Sequence, residues 1–390
     1  MGYFIMATIT LKYDTKNDLA VKIIVSSLLL MICLLFFSCN RDIKHSELME
    51  IPVDYKQDFS LSLSEIAEEI IAIELELTDE SLINPDRIRR VLLCDNYIII
   101  VSRDNIQVFN EDGKFVRTIG SIGQGPGEYV GIVSNVAVDE KNKRIFVSTP
   151  TKNLCYNLDG TFLSEASGIR IGGAMQFMNY INDELLFLVE DLYLKDEQGL
   201  HSKSTLYRMN NDLQVTDSVT IRKIYFERSA IIAHSFNEHI LYNNSTIYLY
   251  NADNCFNEAN PVETILWDTL YRLENNNLIP ELKLKFPNDG ISYGERYINI
   301  LNIYRSSRYV FALYNNNMAS FYNFFCYDTE TKKGYNMSEG YTDDVNKIEK
   351  KIIIRPFITN SEMFYYLHTH MNPDDLEEPN PTLYIGKLKK

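Results

Sequence analysis

The sequence predicts an all-β chain folded as a six-bladed β-propeller, its ring closed by an N-terminal strand that completes the last blade. Three observations carry this expectation. A strand–turn unit recurs six times, each copy preceded by two further strand-like runs. Helical periodicity is nearly absent. The 390 residues hold 26 Tyr and 20 Phe, types that suit pleated, half-buried surfaces.

Taken in chain order, the first element is not part of that fold. Ile23–Ser38 is apolar except for Ser26, Ser27 and Ser38, follows Lys12, Lys16 and Lys22, and ends at Cys39. A run of 16 residues is short for a membrane span of roughly 20 and right for the core of a signal peptide. Phe36-Phe37-Ser38-Cys39 resembles a bacterial lipobox, with Phe36 where Leu is usual. That resemblance implies lipidation of Cys39 and cleavage before it; a plain secretory signal or an uncleaved anchor is the alternative. The expected layout is signal peptide 1–38, lipid anchor and tether 39–60, and propeller 61–390.

Within the propeller, the clearest units are Ile106–Phe115 and Leu154–Phe162, where Asp112-Gly113 and Asp159-Gly160 supply the positive φ of a tight hairpin turn. Looser copies follow at Leu206–Asp212, Leu270–Asn276, Phe324–Glu330 and Leu383–Gly386. Aligning Phe109, Tyr156, Met209, Leu273, Tyr327 and Gly386 gives spacings of 47, 53, 64, 54 and 59. The preceding runs are Tyr97–Ser102, Arg144–Ser148, Leu185–Val189, Thr246–Tyr250, Tyr309–Tyr314 and Met363–Leu367. The innermost set is Ile88–Cys94, Asn135–Asp139, Met175–Tyr180, His234–Ile240, Asn299–Tyr304 and Arg355–Ile358. The last unit lacks an outer strand. Ile70–Leu77 is a strand without a unit, and its expected pairing is antiparallel to Thr382–Leu388. Its alternation puts Ile71, Ile73, Leu75 and Leu77 on the packed face. Short helices are expected in Ser64–Ala72 and Asp343–Lys351.

Val136-Ala137-Val138-Asp139 followed by Arg144-Ile145-Phe146-Val147 resembles the strand pattern of NHL-repeat propellers. Gly113–Gly120 and Gly123–Tyr129, with the lipobox and the Leu383–Leu388 ending, are similar to the six-bladed propeller lipoproteins of the Bacteroidota, a functionally uncharacterised family. The resemblance implies a lipid-anchored protein of the cell envelope, in the outer membrane on its periplasmic or cell-surface side.

The charge balance and the motifs narrow the function. A net charge of −15 leaves no basic excess to neutralise phosphates, so no nucleic-acid partner is expected. No Gly-x-Ser-x-Gly elbow and no HExxH occurs. Gly120–Gly127 lacks the Lys-Ser/Thr of a P-loop and reads as a crossover between blades. His368-Thr369-His370 places two imidazoles on one strand face, with Asp374 and Asp375 as the nearest further donors. Of the remaining cysteines, Cys94, Cys155 and Cys326 sit in apolar runs as buried free thiols, and Cys255 completes the set. The inner strands would line a central channel with Arg89, Asn135, Gln176, His234, Asn302 and Arg355, a polar set suited to a ligand. Ser218 and Thr269 follow Asp and precede an apolar residue. That triplet matches the O-glycosylation site of exported Bacteroidota proteins. The expectation is a monomeric binding module with no cofactor, no metal site and no catalytic residue, which takes a small-molecule, glycan or protein ligand. The alternative is an NHL-type lyase or hydrolase working in the channel.

Overall fold

The computed structural model describes residues 48–129, 135–149, 151–168, 175–225, 228–229, 238–251, 255–256, 268–274, 276–287, 298–316, 322–370 and 379–390. Six antiparallel sheets succeed one another along the chain, each running from an inner to an outer strand. Blade one is Ile88–Cys94, Tyr97–Ser102, Ile106–Asn110 and Phe115–Thr118. Blade two is Asn135–Asp139, Arg144–Ser148, Lys152–Asn157 and Phe162–Ser167. Blade three has longer strands, Met175–Ile181, Glu184–Asp196, Gly199–Met209 and Val215–Tyr225. Blade four is Ile240–Asn243, Thr246–Leu249, Thr269–Glu274 and Asn277–Lys285. Blade five is Ile298–Arg305, Tyr309–Asn316, Tyr322–Asp328 and Lys333–Met337. Blade six is Arg355–Phe357, Asn360–His368 and Thr382–Leu388, completed by Ala67–Glu74.

The middle strands are apolar on both faces because each blade is sandwiched between two others. In Tyr97–Ser102, Ile99 and Ile100 are both fully buried, but Ile99 joins the large central cluster and Ile100 the cluster shared by blades six and one. Each such side chain contributes about 1.5–3 kcal/mol by transfer from water. At the outer turn of blade one, Asn110 Oδ1 accepts the Asp112 and Lys114 amides at 3.1 and 2.8 Å, and Gly113 takes φ +79°. Blade three repeats the device, with Asn210 Oδ1 accepting the Asp212 and Gln214 amides. There Leu213 stands at φ +62° where blade one has glycine, which is why the repeat fades in sequence while its turn persists.

The ring closes as the sequence predicts. Ala67–Glu74 pairs antiparallel with Thr382–Leu388, Ala72 lying opposite Tyr384. The packed face differs from the simple alternation, because Ile71 and Leu77 are 46% and 40% exposed. Ile70 packs on the central cluster and Ile73 on the cluster between blades six and one, so both faces of the strand contribute, and Leu75 is buried just beyond it.

Described structure also precedes residue 61. Met49–Pro52 adds a fifth, parallel strand to blade four, with Met49 opposite Leu282. The Val53 amide then donates to the Lys285 carbonyl and the Phe59 amide to that of Asn336 on blade five. Ser62 bridges Thr342 before the closing strand begins. Residues 49–74 thus form a strap across the outer edges of blades four, five and six.

Three local expectations are corrected. Around the Ser64–Ala72 stretch, helix is confined to Leu63–Ile66, where the Glu65 carboxylate accepts the Ser62 amide. Asp343–Lys351 is no helix: Tyr341–Asp343 and Ile348–Ile352 form a hairpin, with Asp343 Oδ1 accepting the Val345 and Asn346 amides in its turn. The i, i+4 pair Ile348 and Ile352 fits one face of a strand as well as one face of a helix. The inner strand of blade four is Ile240–Asn243, just after the run predicted for it.

Candidate functional site

Among the described residues, a buried ion pair crosses between the inner strands. Arg90, on the inner strand of blade one, reaches Glu238 just ahead of the inner strand of blade four, with Nη2 2.7 Å from Oε2 and Nε 3.3 Å from Oε1. On the way its Nη1 donates to the carbonyls of Val136 on blade two and Met178 on blade three, at 3.1 and 2.9 Å. One guanidinium therefore ties four blades, and both partners of the ion pair are buried. Next to Glu238, His239 is fully buried against the Phe177 ring, and its Nδ1 lies 2.9 Å from the Tyr250 carbonyl. Burial pushes this imidazole down to about 3, so it is neutral at pH 7 and donates Nδ1–H to that carbonyl. Tyr365 approaches from blade six, where its hydroxyl accepts the Val91 amide. Glu362 joins blades four, five and six by accepting from Asn243 and from the Ser307 amide and hydroxyl.

An open space lies where the inner strands of blades one and six begin. A cleft of about 790 Å³ is lined there by Leu82–Asp86 and Ile88 on one side, by Lys350–Ile353 of the hairpin, and by Arg355 and Tyr365–Thr369 of blade six. Asn84 Oδ1 holds the first wall by accepting the Asp86 amide at the start of a short 3-10 turn. Lys351 Nζ is held by the hydroxyls of Thr342 and Ser60. Arg89 stands beside this cleft, half-buried. Burial first, and then the neighbouring Arg103, Arg355 and Arg87, hold its guanidinium below its usual value. Arg87 is neutralised by Asp104 at 2.7 Å. His368 is held below the ordinary imidazole value by burial, then by His370 and Lys350.

The residues expected to line a channel are dispersed. A bulge between Ile88 and Arg90 breaks the alternation of the inner strand, so Arg90 enters the centre and Arg89 the cleft side. Arg355 lines the cleft, and it shares with Asn302 a small cavity of about 30 Å³ between blades five and six. Asn135 is buried at the start of the inner strand of blade two. Gln176 lies in the inner strand of blade three, opposite Val189. His234, like Cys39, lies outside the described residues. Arg90 is a site residue that sequence reasoning misses, because a bulge shifts the alternation by one residue and moves a side chain to the other face; Glu238 lies just ahead of a strand and Lys350 on a hairpin read as a helix.

The other motifs resolve locally. The Glu128 carboxylate accepts the Gly125 amide in the Gly-rich loop, and Lys152 Nζ donates to the Gly125 carbonyl, which fits a crossover held by its own side chains. His368 and His370 meet edge to face at 4.6 Å, and His370 Nε2 lies 2.7 Å from the Tyr384 hydroxyl. Asp374 and Asp375 lie outside the described residues. No group of three His, Cys, Asp or Glu suited to a metal occurs among the described residues. Ser218 is exposed on the outer strand of blade three, whereas Thr269 is half-buried and donates its hydroxyl to Asp268.

Comparison with known proteins places this architecture. The family DUF4934, a domain of unknown function, matches residues 48–390. A Bacteroides fragilis protein described as exported has a crystal structure similar to this chain at TM-score 0.59 and 17% identity, covering 88% of this chain and 100% of that one. A DUF4221 family member from Bacteroides vulgatus is similar at TM-score 0.49 and 11% identity, over 83% of this chain and 97% of that one. No curated protein matches the sequence.

Proposed function

The chain belongs to the DUF4934 family, and from that premise we propose that it is an exported, lipid-anchored propeller that binds a ligand in the cleft between blades six and one. The observation that carries this reading is the cleft itself: about 790 Å³ of space at the face where inner strands begin, with Arg355, Lys350 and His368 among its lining residues. Export is supported by the apolar run ending in Ser38-Cys39 and by the description of the Bacteroides fragilis protein as exported. A catalyst in the central channel has less support, because Arg90 and Glu238 saturate one another there. Among the two glycan acceptor candidates, Ser218 is the better placed, being exposed.

The anchor is tested by labelled palmitate: the Cys39→Ala chain should incorporate none and leave the membrane fraction, and retained label would refute the assignment. Binding is tested by a thermal-shift screen of charged and neutral metabolites and oligosaccharides against the parent and Thr369→Trp, which fills the cleft. Ligand-induced stabilisation should vanish in the tryptophan variant. Stabilisation that survives it places binding elsewhere and defeats the reading.

A further inference from the structure

Resting on that reading of the cleft, we propose that its ligand is an oligoanion, a molecule presenting at least two carboxylate, sulfate or phosphate groups. The chain as a whole carries −15, yet this cleft gathers cations. Arg355 and Lys350 line the cleft, and Arg89 and Arg103 stand beside it. Asp86 is the one carboxylate among the described lining residues.

Four buried or half-buried arginines are each matched by an acid: Arg90 by Glu238, Arg222 by Glu190, Arg305 by Glu281 and Arg308 by Asp328. Arg89, Arg103 and Lys350 pair with no carboxylate among the described residues. Arg89 is half-buried with like charges as its neighbours, an arrangement that an added anion would relieve. Guanidinium groups suit that anion because their planar fork matches the two oxygens of a carboxylate, sulfate or phosphate.

The cations fall into two groups, which sets the minimum of two anionic groups. Arg89 and Arg355 are carried by the inner strands of blades one and six, and Lys350 by the Ile348–Ile352 strand of the hairpin, across from them in the lining. At neutral pH His368 is uncharged, so it contributes a hydrogen bond rather than a charge.

Calorimetry on the detergent-solubilised full-length protein tests the proposal, with citrate and a sulfated disaccharide as probes and neutral cellobiose as the comparison. Citrate or the sulfated sugar should bind, more weakly as salt rises, while cellobiose should not. Arg89→Gln and Lys350→Gln should each weaken binding about threefold or more and the pair together about tenfold or more, with exposed Lys333→Gln on blade five unchanged. Arg89→Gln should also raise the melting temperature of the ligand-free protein, a gain that a purely structural role would reverse. No heat with either anion at about 1 mM, or a lowered melting temperature in Arg89→Gln, overturns the oligoanion. If a neutral sugar binds and Thr369→Trp abolishes it, the cleft stands and the oligoanion falls. If anions bind regardless of all three cleft variants, both readings fall. Binding of citrate alone would assign a small polycarboxylate, and binding of the sulfated sugar alone an acidic glycan.

Discussion

Arg90 and Glu238 meet across the ring, from blade one to the threshold of blade four, with a closest N···O distance of 2.7 Å and both side chains at most 10% exposed. Blades in a propeller touch mainly their neighbours, so a link between distant blades couples parts of the ring that packing leaves independent. The cost of taking two charges out of water is offset by the bidentate contact and by the further bonds of Arg90 to the Val136 and Met178 carbonyls.

Arg90→Met should therefore destabilise the domain by about 3–5 kcal/mol, since Glu238 is left charged and buried. The double variant Arg90→Met with Glu238→Met should cost less than either single change. It still leaves two carbonyls without a donor, at about 1–3 kcal/mol. Urea melts of the four proteins check this as a double-mutant cycle. A cycle with no coupling between the two positions would show that the pair does not hold the ring.

The thiols should be silent in the native state. Cys94, Cys155 and Cys326 are free and at most 1% exposed, and burial pushes Cys94 and Cys155 up to about 11 and Cys326 higher still. In a chain with Cys33, Cys39 and Cys255 changed to Ser, a thiol reagent at pH 8 should label none of the three until denaturant is added. Rapid native labelling would contradict their burial.

The strap on blade four carries its own expectation. Ile51 is fully buried and Val53 nearly so, both in the cluster between blades four and five. Ile51→Ala should cost about 2–5 kcal/mol, measured by urea unfolding. Removing residues up to Leu48 should leave the melting temperature unchanged, whereas removing them up to Val53 should lower it. Equal stability of the two truncations would mean that the parallel strand adds nothing.

What could be read from sequence follows from what repeats. The hairpin turns at Gly113 and Gly160 and the apolar middle strands announce blades one and two. The unpaired Ile70–Leu77 run matched the missing edge of blade six, because an unfilled edge and an unpartnered strand imply one another. Met49–Pro52 gave no such signal: four residues, one of them proline, on a parallel edge have no repeat to match. Arg90 was hidden by a bulge, and Glu238 by its place just outside a strand. The cleft draws on the Leu82–Asp86 connection, the Ile348–Ile352 hairpin and His368, segments far apart in the chain, so its cations became neighbours only through ring closure.

Ring closure itself rests on a latch that a single methyl group tests. The Glu76 amide, just past the closing strand, donates to the Gly113 carbonyl at 2.9 Å, and the Glu76 carboxylate accepts the Phe115 amide at 2.9 Å. Blade one's outer turn is thereby fastened to the strand that completes blade six. A Cβ on Gly113 would collide with the Glu74 carbonyl oxygen and Ile73, besides straining a backbone at φ +79°. Gly160 is the matched control: it holds the equivalent turn of blade two at φ +88°, but a Cβ there meets nothing nearer than 3.8 Å. Gly160→Ala should cost about 1–3 kcal/mol for the left-handed backbone alone. Gly113→Ala carries the same strain and must also displace the closing strand, which adds about 1–3 kcal/mol of overpacking. Thermal or urea unfolding of the two variants separates the contributions. Equal losses would mean that the closing strand moves aside freely, and the latch between blades one and six would not be what keeps the ring shut.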